Sequence, residues 1–438
     1  MHAQKAERSL TQKGLRTFGA AMSKVLNNSR ELSGASIIRA IAAGLCSSLV
    51  GIGLSRFAFS PLIPPLVSEH WFAASQAAYL GAANLMGYVV GALVSLNLAR
   101  AIPVRPLLRA MMLVATASFF ASGYPLPFLW FFAWRFAAGC AGGVLMVAGT
   151  AAALEQIPPK RRGLAAGIVI GGVGAGIIAS GTLVPFLLAW GLSETWFGLG
   201  VLSLVLTAAA WRLWPPLRPA QIQPSSLLSD RRLRPDRSLR TVYAASALTA
   251  LGLVPYFIFV VDFVARGLNA GIAAGAHVWI ATGIGALFGA ALIGYVGDRI
   301  GFKRAFRWSY VVEALAIGLF AFTGDQSVLL MASIVIGAFI SAIVPLVIGR
   351  LQEIMPKDSA AQKAAWRTAT TAFGIGQAAA GYVYSFIFSQ TGGDYRLLFL
   401  LGALSFLIAL AIDVQANADI VRKSASQYHF FASNRRNL

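Results

Sequence analysis

Two long apolar runs of this chain are joined by the stretch GYVGDRIGFKR, residues 294–304. Gly294 and Gly301 permit close packing and a tight turn, because glycine has no side chain to obstruct either. Asp298 can cap the start of the following helix or pair with a neighbouring arginine. The stretch therefore predicts a charged turn between two helices, which can hold one conformation of the surrounding helices closed.

The runs on either side belong to a set of twelve, each of about the 20 residues that a transmembrane helix needs. The chain is 57% hydrophobic and 12% charged, with a mean hydropathy of +0.70, so it has too few polar groups to cover its apolar surface in water. We predict an all-α membrane protein with twelve transmembrane helices. Their expected bounds are about 36–66, 74–98, 106–124, 126–153, 163–190, 195–214, 241–265, 272–296, 305–323, 327–352, 364–389 and 395–414.

One connection between these helices is long, polar and rich in proline and arginine, and it divides the chain near its midpoint. We interpret it as a cytoplasmic linker between two pseudo-symmetric six-helix bundles. The expected organisation is a basic N-terminal extension at 1–35, a first bundle at 36–214, the linker at 215–240, a second bundle at 241–414 and a C-terminal tail at 415–438.

An internal repeat supports two equivalent halves. The sequence EQIP at 155–158 ends the fourth predicted helix, and EIMP at 353–356 ends the tenth, 198 residues later. Two basic pairs share a five-residue spacing at an offset of 199, namely Arg100 with Arg105 and Arg299 with Arg304. Two unrelated landmarks at nearly one offset indicate a duplicated six-helix unit.

The basic residues predict the orientation of the chain. With the N-terminus in the cytoplasm, all lysines and arginines except Arg56, Arg135, Arg266 and Arg396 fall on the cytoplasmic side. Cytoplasmic loops of membrane proteins carry such an excess. The expected location is the inner cell membrane with both termini cytoplasmic, and this topology explains the net charge of +20 without a nucleic-acid partner.

The chain lacks the usual signatures of an enzyme. It has no HExxH, no GxSxG and no P-loop sequence, and Cys46 and Cys140 both lie in apolar helices where thiols behave as small hydrophobic groups. We expect no catalysis, no cofactor and no metal. The expected partners are a small solute, a proton or other coupling ion, and the lipid bilayer, with the protein acting as a monomer.

The 294–304 stretch resembles the loop signature GxxxDRxGxxR of the major facilitator superfamily. The stretches GIGLSRFAFSPLIP at 51–64, GAANLMGY at 81–88 and RFAAG at 135–139 look like the YbfB-type branch of that superfamily. The resemblance implies the major facilitator fold, alternating access and a solute site near the midplane between the halves. In the first-half loop Ala99 stands where an aspartate is expected, which places a symmetric latch there in doubt.

The same resemblance implies a gate at the cytoplasmic ends of the helices. We assign to this gate the charged and small residues of the signature loop and the two glutamates of the repeat: Gly294, Asp298, Arg299, Gly301, Arg304, Glu155 and Glu353.

Two arginines inside the first bundle are the strongest candidates for solute contact. A charge at the centre of a membrane helix costs about 2.5–3.5 kcal/mol on insertion scales, so it usually faces a cavity or a partner. Arg56 precedes a proline-broken part of the first helix and either contacts an anion or ties helices together. Arg135 lies in an RxxxG pattern, and relatives use this arginine for proton coupling or for bracing. Because no acidic residue lies deep in these helices, the two predict an anionic solute.

Other polar residues are weaker candidates. Asn84, Tyr256 and Gln377 are expected to contact solute by their helix positions. Asp262 has Arg266 one turn later, so it forms either an intrahelical pair or a coupling site. Glu313 lies in the ninth helix, which the resemblance places at the periphery.

The resulting prediction is a secondary active transporter, proton-linked, for a small organic anion or carboxylate-bearing solute. The fifth helix lacks the Gly-Pro pair usual in antiporters of the superfamily, which favours symport or uniport. The alternatives are efflux of hydrophobic drug-like compounds and, further off, a solute sensor that does not transport. A channel is disfavoured because a duplicated fold with a latch suits alternating access.

Overall fold

The structure is a computed structural model that describes residues 34–155, 157–158, 161–214, 237–356 and 358–434. Most of the predicted N-terminal extension and linker, residues 1–33 and 215–236, lie outside the described residues.

Twelve long helices, α1 to α12, follow one another in the described part of the chain, and no strand occurs there. Eleven are long and apolar enough to cross a membrane, and the more polar α11 is the exception. Their bounds are α1 Ser36–Ser68, α2 Ala74–Ala101, α3 Val104–Ala121, α4 Phe128–Glu155, α5 Arg162–Leu188, α6 Leu192–Trp211, α7 Arg237–Gly267, α8 Gly271–Ile300, α9 Phe302–Phe322, α10 Gln326–Ile354, α11 Ser359–Gln390 and α12 Tyr395–Asn434.

The predicted all-α membrane fold is confirmed, and most helix bounds agree within a few residues. The largest difference is at α12, which continues to Asn434 and so takes in most of the predicted tail at 415–438. α11 is less apolar than the others because it carries Lys363 and Arg367 in its first turns and is rich in alanine and threonine.

The two ends of the helix assembly differ in charge. We call the end that carries most of the described basic residues the basic end, and the other the opposite end. The basic end holds Arg100, Arg105, Arg109, Arg161, Arg162, Arg299, Lys303, Arg304, Arg307, Arg350, Lys363 and Arg367. Arg266 and Arg396 lie at the opposite end.

Glycines let helices pack backbone to backbone at equivalent places in the two halves. A methyl group added to Gly87 of α2 would clash with the backbone oxygen of Phe136 on α4. One added to Gly285 of α8 would clash with the backbone oxygen of Ile334 on α10. The two glycines are 198 residues apart, and so are the two residues that they contact.

Two further contacts repeat at the same offset. Gly91 approaches Cys140, and Gly289 approaches Ala338. Gly139 approaches the backbone oxygen of Asn84, as Gly337 approaches that of Thr282. The α2–α4 and α8–α10 pairs are therefore built alike, at the offset that also separates Glu155 from Glu353.

The first six helices meet the last six along three lines of contact: α1 with α7, α2 with α11, and α5 with α8. The Ser60 hydroxyl of α1 donates a hydrogen bond to the Phe257 carbonyl of α7. Between α5 and α8, Trp279 Nε1 donates to Ser180 Oγ at 3.1 Å. A methyl group on Gly381 of α11 would lie 3.0 Å from Ala82 Cβ of α2.

These contacts lie in the central turns and the opposite-end turns of the helices that form them. On α5, for example, they run from Gly171, which faces Leu287, to Gly181, which faces Ile280. We therefore describe this conformation as closed at the opposite end. Any route from that end to the centre requires the three lines of contact to separate.

The crossing of α2 and α4 yields a stability prediction. Gly87→Leu should destabilise the folded protein by about 1–3 kcal/mol or more, because the new side chain has no space against the α4 backbone. Gly167→Leu on α5 is the matched control, since a methyl group there would meet nothing within 4 Å. Thermal denaturation in detergent measures both. Equal stability of the two variants would contradict the packing described.

Candidate functional site

The first helix changes its hydrogen-bonding pattern in the middle of its length. A π-helical turn at Leu49–Leu54 is followed, after two residues, by a 3₁₀ turn at Phe57–Leu62 that contains Pro61. An α-helical turn at Ile63–Ser68 then completes α1. Because bonds in the 3₁₀ turn reach back three residues rather than four, the register of backbone hydrogen bonds changes at Ser55 and Arg56.

Arg135 of α4 binds the backbone of α1 at this change of register. Its side chain is 3% exposed, and Nη1 donates to the Ser55 carbonyl at 2.6 Å. Its guanidinium also lies over the ring of Phe59, 4.3 Å from the ring centre. Nε is buried without a partner among the described residues. Arg135 thus braces α4 against the broken part of α1 and keeps one donor unused.

Arg56 occupies the junction itself and is held by aromatic rings. Its guanidinium lies 4.9 Å from the ring centre of Phe57, 5.4 Å from Phe257 and 5.6 Å from Tyr88. No hydrogen bond or ion pair joins its side chain to another described residue, and Nε is buried without a partner. Cation–π contacts of this kind stabilise the charge but leave the N–H donors free.

Asn84 of α2 adds an acceptor to this group. The side chain is 1% exposed, and Nδ2 donates to the Arg135 carbonyl at 3.1 Å. That bond fixes the orientation of the amide. Oδ1 is buried and has no donor among the described residues.

Arg56, Asn84 and Arg135 line one cavity of about 20 Å³, space for roughly one water molecule. No acidic side chain lines it. The remaining walls come from α1, α2 and α7, namely Phe57, Phe59, Ser60, Ile63, Gly81, Leu85, Phe257 and Ile258. The arrangement offers two guanidinium groups and one amide oxygen to a single occupant.

The equivalent place in the second half is neutral. At the 198-residue offset Asn84 corresponds to Thr282, and Arg135 corresponds to Ser333. The Thr282 hydroxyl lies 2.5 Å from the Tyr256 hydroxyl, and Tyr256 is fully buried. Tyr256, a predicted solute contact, therefore belongs to this neutral network and does not line the cavity at Arg56.

Two other candidates lie apart from the cavity. Gln377 is 1% exposed on α11, and its Oε1 has no partner among the described residues. Asp262 forms a bidentate pair with Arg266, at 2.6 and 2.8 Å, and accepts from the Tyr395 hydroxyl at 2.5 Å. Of the two predicted alternatives, Asp262 therefore forms the intrahelical pair with Arg266, and both of its carboxylate oxygens accept hydrogen bonds.

The predicted gate centres on Glu353 rather than on Asp298. Glu353 Oε1 accepts from the backbone N–H of Phe302 at 2.6 Å, and Oε2 accepts from that of Lys303 at 3.0 Å. Arg350 Nη1 donates to Oε2 at 3.0 Å. Because α9 begins at Phe302, Glu353 of α10 caps its N-terminus.

The rest of the signature turn is arranged around that cap. Gly301 has a φ of 85°, a conformation that favours glycine, and it makes the turn into α9 possible. Asp298 is exposed and makes no hydrogen bond or ion pair with another described residue. Arg299 lies over the ring of Tyr295, and Arg304 is exposed. Gly294 has only Pro345 of α10 near it.

The first-half end of the gate is built differently. Glu155 is half-buried at the end of α4 and faces Arg162 of α5. Arg162 Nε donates to the Ile157 carbonyl at 2.8 Å. No such cap on α3 by Glu155 is found in the described residues, in keeping with the degenerate first-half loop.

Sequence reasoning identified the two arginines but missed the Ser55 carbonyl that Arg135 binds. Pro61 indicated a break in α1, but the carbonyl that its missing N–H leaves without a donor in a regular helix is that of Phe57, so it did not point to Ser55. The pairing of Asn84 with the Arg135 backbone carried no comparable signal.

The cap on α9 yields a prediction. Glu353→Gln should expose the N-terminal turn of α9, because an amide offers one acceptor oxygen in place of two. A loss of about 1 kcal/mol corresponds to about fivefold faster hydrogen exchange at the backbone N–H groups of Phe302 and Lys303. The control is Asp298→Asn, which removes a charge without a partner. Equal exchange in both variants would contradict the capping role.

Sequence and structure comparisons agree with this architecture. A solved structure of a D-xylose-proton symporter superimposes with a TM-score of 0.65 at 15% sequence identity, covering 85% of this chain and 97% of the other. At that identity the match shows the fold alone. No curated protein matches this chain.

The family profile described as uncharacterised MFS-type transporter YbfB matches residues 48–414. That range includes the broken part of α1, the cavity and the signature turn. Proteins of this class are transporters rather than enzymes. The chain therefore belongs to the YbfB-type family of the major facilitator superfamily and is a multi-pass membrane transporter.

Proposed function

We propose that this transporter moves a small organic anion, with a carboxylate as its recognised group, by proton-linked alternating access. The supporting observation is that two guanidinium groups, Arg56 and Arg135, line one cavity in the membrane interior without an acidic partner. A buried charge without a counter-ion is unfavourable, so an anionic occupant offsets the cost of placing the two arginines there.

A carboxylate suits the donors that this site presents. Arginine binds carboxylates through paired N–H donors, and both Arg56 Nε and Arg135 Nε are buried and unused. The aromatic rings around Arg56 exclude water and hold the guanidinium in place. Loss of water strengthens its attraction for an anion.

Asn84 narrows the proposed solute class. Its unused Oδ1 can accept a hydrogen bond, but an ionised carboxylate accepts from the guanidinium groups and has no hydrogen to donate to Oδ1. A solute with a hydroxyl or N–H group next to its carboxylate satisfies all three residues. We therefore favour hydroxy- or amino-substituted carboxylates over unsubstituted ones.

The closed opposite end supports alternating access. Ser60 and Phe257 line the cavity and also form the α1–α7 contact that closes this end. An occupant at Arg56 would touch the residues whose contact must break for the opposite end to open. Proton linkage is in line with the fold neighbour, which is a D-xylose-proton symporter.

The proposed topology places the basic end in the cytoplasm and the protein in the inner cell membrane as a monomer of two six-helix bundles. The concentration of basic residues at one end supports this orientation.

Efflux of a hydrophobic compound is the second candidate, because Phe57, Phe59 and Phe257 form much of the cavity wall. Aromatic walls bind planar apolar solutes as well as they confine an arginine. The two candidates differ in whether the charge of Arg56 is needed for binding.

Arg56→Gln separates the candidates. Carboxylate affinity should fall by at least about thirtyfold, since a charge-assisted hydrogen-bonded contact is lost. Binding of radiolabelled lactate and pyruvate to the purified protein measures this, with Arg396→Gln, an exposed arginine at the opposite end, as the control. Unchanged carboxylate binding, or intact export of lipophilic dyes by Arg56→Gln, would contradict the anion proposal.

Asn84→Val tests the narrower solute class. The preference for lactate over propionate should fall by about tenfold, because the acceptor for the lactate hydroxyl is removed. Thr282→Val is the matched control, at the equivalent position of the second half. A preference that survives in Asn84→Val would show that Oδ1 does not receive the hydroxyl.

A further inference from the structure

A second ionisable group lies deep in the membrane region, away from the cavity. Glu313 of α9 is 1% exposed, and its Oε2 is buried without a hydrogen-bond partner. Neither carboxyl oxygen forms a hydrogen bond or ion pair with another described residue. Glu313 is eleven residues from the start of α9 at Phe302, about 16 Å along the helix, so it lies near the middle of the membrane.

Several titratable groups lie between Glu313 and the basic end. Tyr310 is one turn earlier on α9, and Thr249 of α7 faces its hydroxyl. Asp413 of α12 is paired with Arg307 at 2.6 Å. On α10, Arg350 is paired with Glu353 at 3.0 Å. Both arginines are thus committed to other carboxylates, and neither forms an ion pair with Glu313.

An ionised carboxylate in this place would have neither water nor a counter-ion. Removing such a charge from water is strongly unfavourable, and proteins avoid it by protonating the group. Glu313 is accordingly a neutral acid in this conformation. A glutamine would fill the same space without any need for a proton, so packing alone does not explain a glutamate here.

A line of polar side chains connects Glu313 to the basic end. Arg307, Tyr310 and Glu313 are spaced three residues apart on α9, which places them along one face of the helix. Asp413 pairs with the first of them. The line therefore runs from Glu313 toward water at the basic end.

Helix α7 connects this line to the solute cavity. Its Phe257 lines the cavity beside Arg56, and its Thr249 faces Tyr310 of the line. A movement of α7 that opens the opposite end would therefore change the surroundings of the solute cavity and of the polar line below Glu313.

We propose that Glu313 is the site that binds the coupling proton. In the conformation closed at the opposite end the carboxyl group holds the proton. When α7 moves and the opposite end opens, the O–H bond breaks, the carboxylate keeps the electron pair and the proton passes to water at the opposite end. This inference rests on the proposed proton-linked transport and assigns its proton site.

The first test is infrared difference spectroscopy of the full-length protein in liposomes. A carbonyl stretch of a protonated carboxylic acid should be present at neutral pH and lost in Glu313→Gln. It should persist in Asp413→Asn, because Asp413 is ion-paired. If Glu313→Gln does not fold, Glu313→Asp should shift the band instead. Absence of the band in the unmodified protein overturns the proposal.

The second test asks whether the proton responds to conformation. Gly283→Trp or Gly181→Trp should prevent the close α5–α8 contact, because an added methyl group already meets Ile178 or Ile280 there. In a variant that is held open at the opposite end, the band should be weakened or lost at neutral pH. A band of equal strength in the open variants and the unmodified protein would make Glu313 a permanently neutral structural residue and overturn the proposal.

The third test separates this inference from the proposed function. Lactate-driven proton movement in proteoliposomes should be lost in Glu313→Gln, while lactate exchange is retained. If the unmodified protein moves lactate without protons, the proton linkage fails and Glu313 loses its proposed role with it. Proton movement that persists in Glu313→Gln overturns the assignment of Glu313 and leaves the proposed function intact.

Discussion

The hydrogen bond from Arg135 to the Ser55 carbonyl is the contact on which the candidate site depends. A membrane-spanning helix can leave its regular hydrogen bonding only where the freed backbone groups find other partners. Arg135 binds the backbone of α1 where its hydrogen-bonding pattern changes, next to Arg56. The same guanidinium binds the backbone and carries one of the two charges of the proposed anion site.

The duplicated scaffold carries unequal chemistry in its two halves. Glycine contacts of α2 with α4 recur between α8 and α10 at a single offset, so the backbones are built alike. Asn84 and Arg135 nevertheless correspond to the neutral Thr282 and Ser333 at the equivalent positions of the second half. We infer that solute charge is recognised by the first half, while the buried carboxyl of Glu313 gives the second half a separate role in proton binding.

Much of the fold could be predicted from the sequence because the bilayer imposes helix length and apolar composition. Arg56 and Arg135 could be singled out for the same reason, since charges within such helices are rare. The cap on α9 could not be assigned, because Asp298 lies close in sequence whereas Glu353 reaches the turn from another helix. Likewise, Tyr256 has a suitable helix position but turns toward Thr282. In both cases the partner of the side chain is set by packing between helices that are distant in sequence.

The most direct test of the central claim is proton movement in proteoliposomes that contain the unmodified protein. Small carboxylates, neutral sugars and cationic dyes are added in turn while a pH indicator reports the vesicle interior. The two unpaired guanidinium groups predict a pH change driven by a carboxylate and none driven by the sugars or dyes. A response to sugars or dyes alone would contradict the account and make Arg56 and Arg135 structural residues.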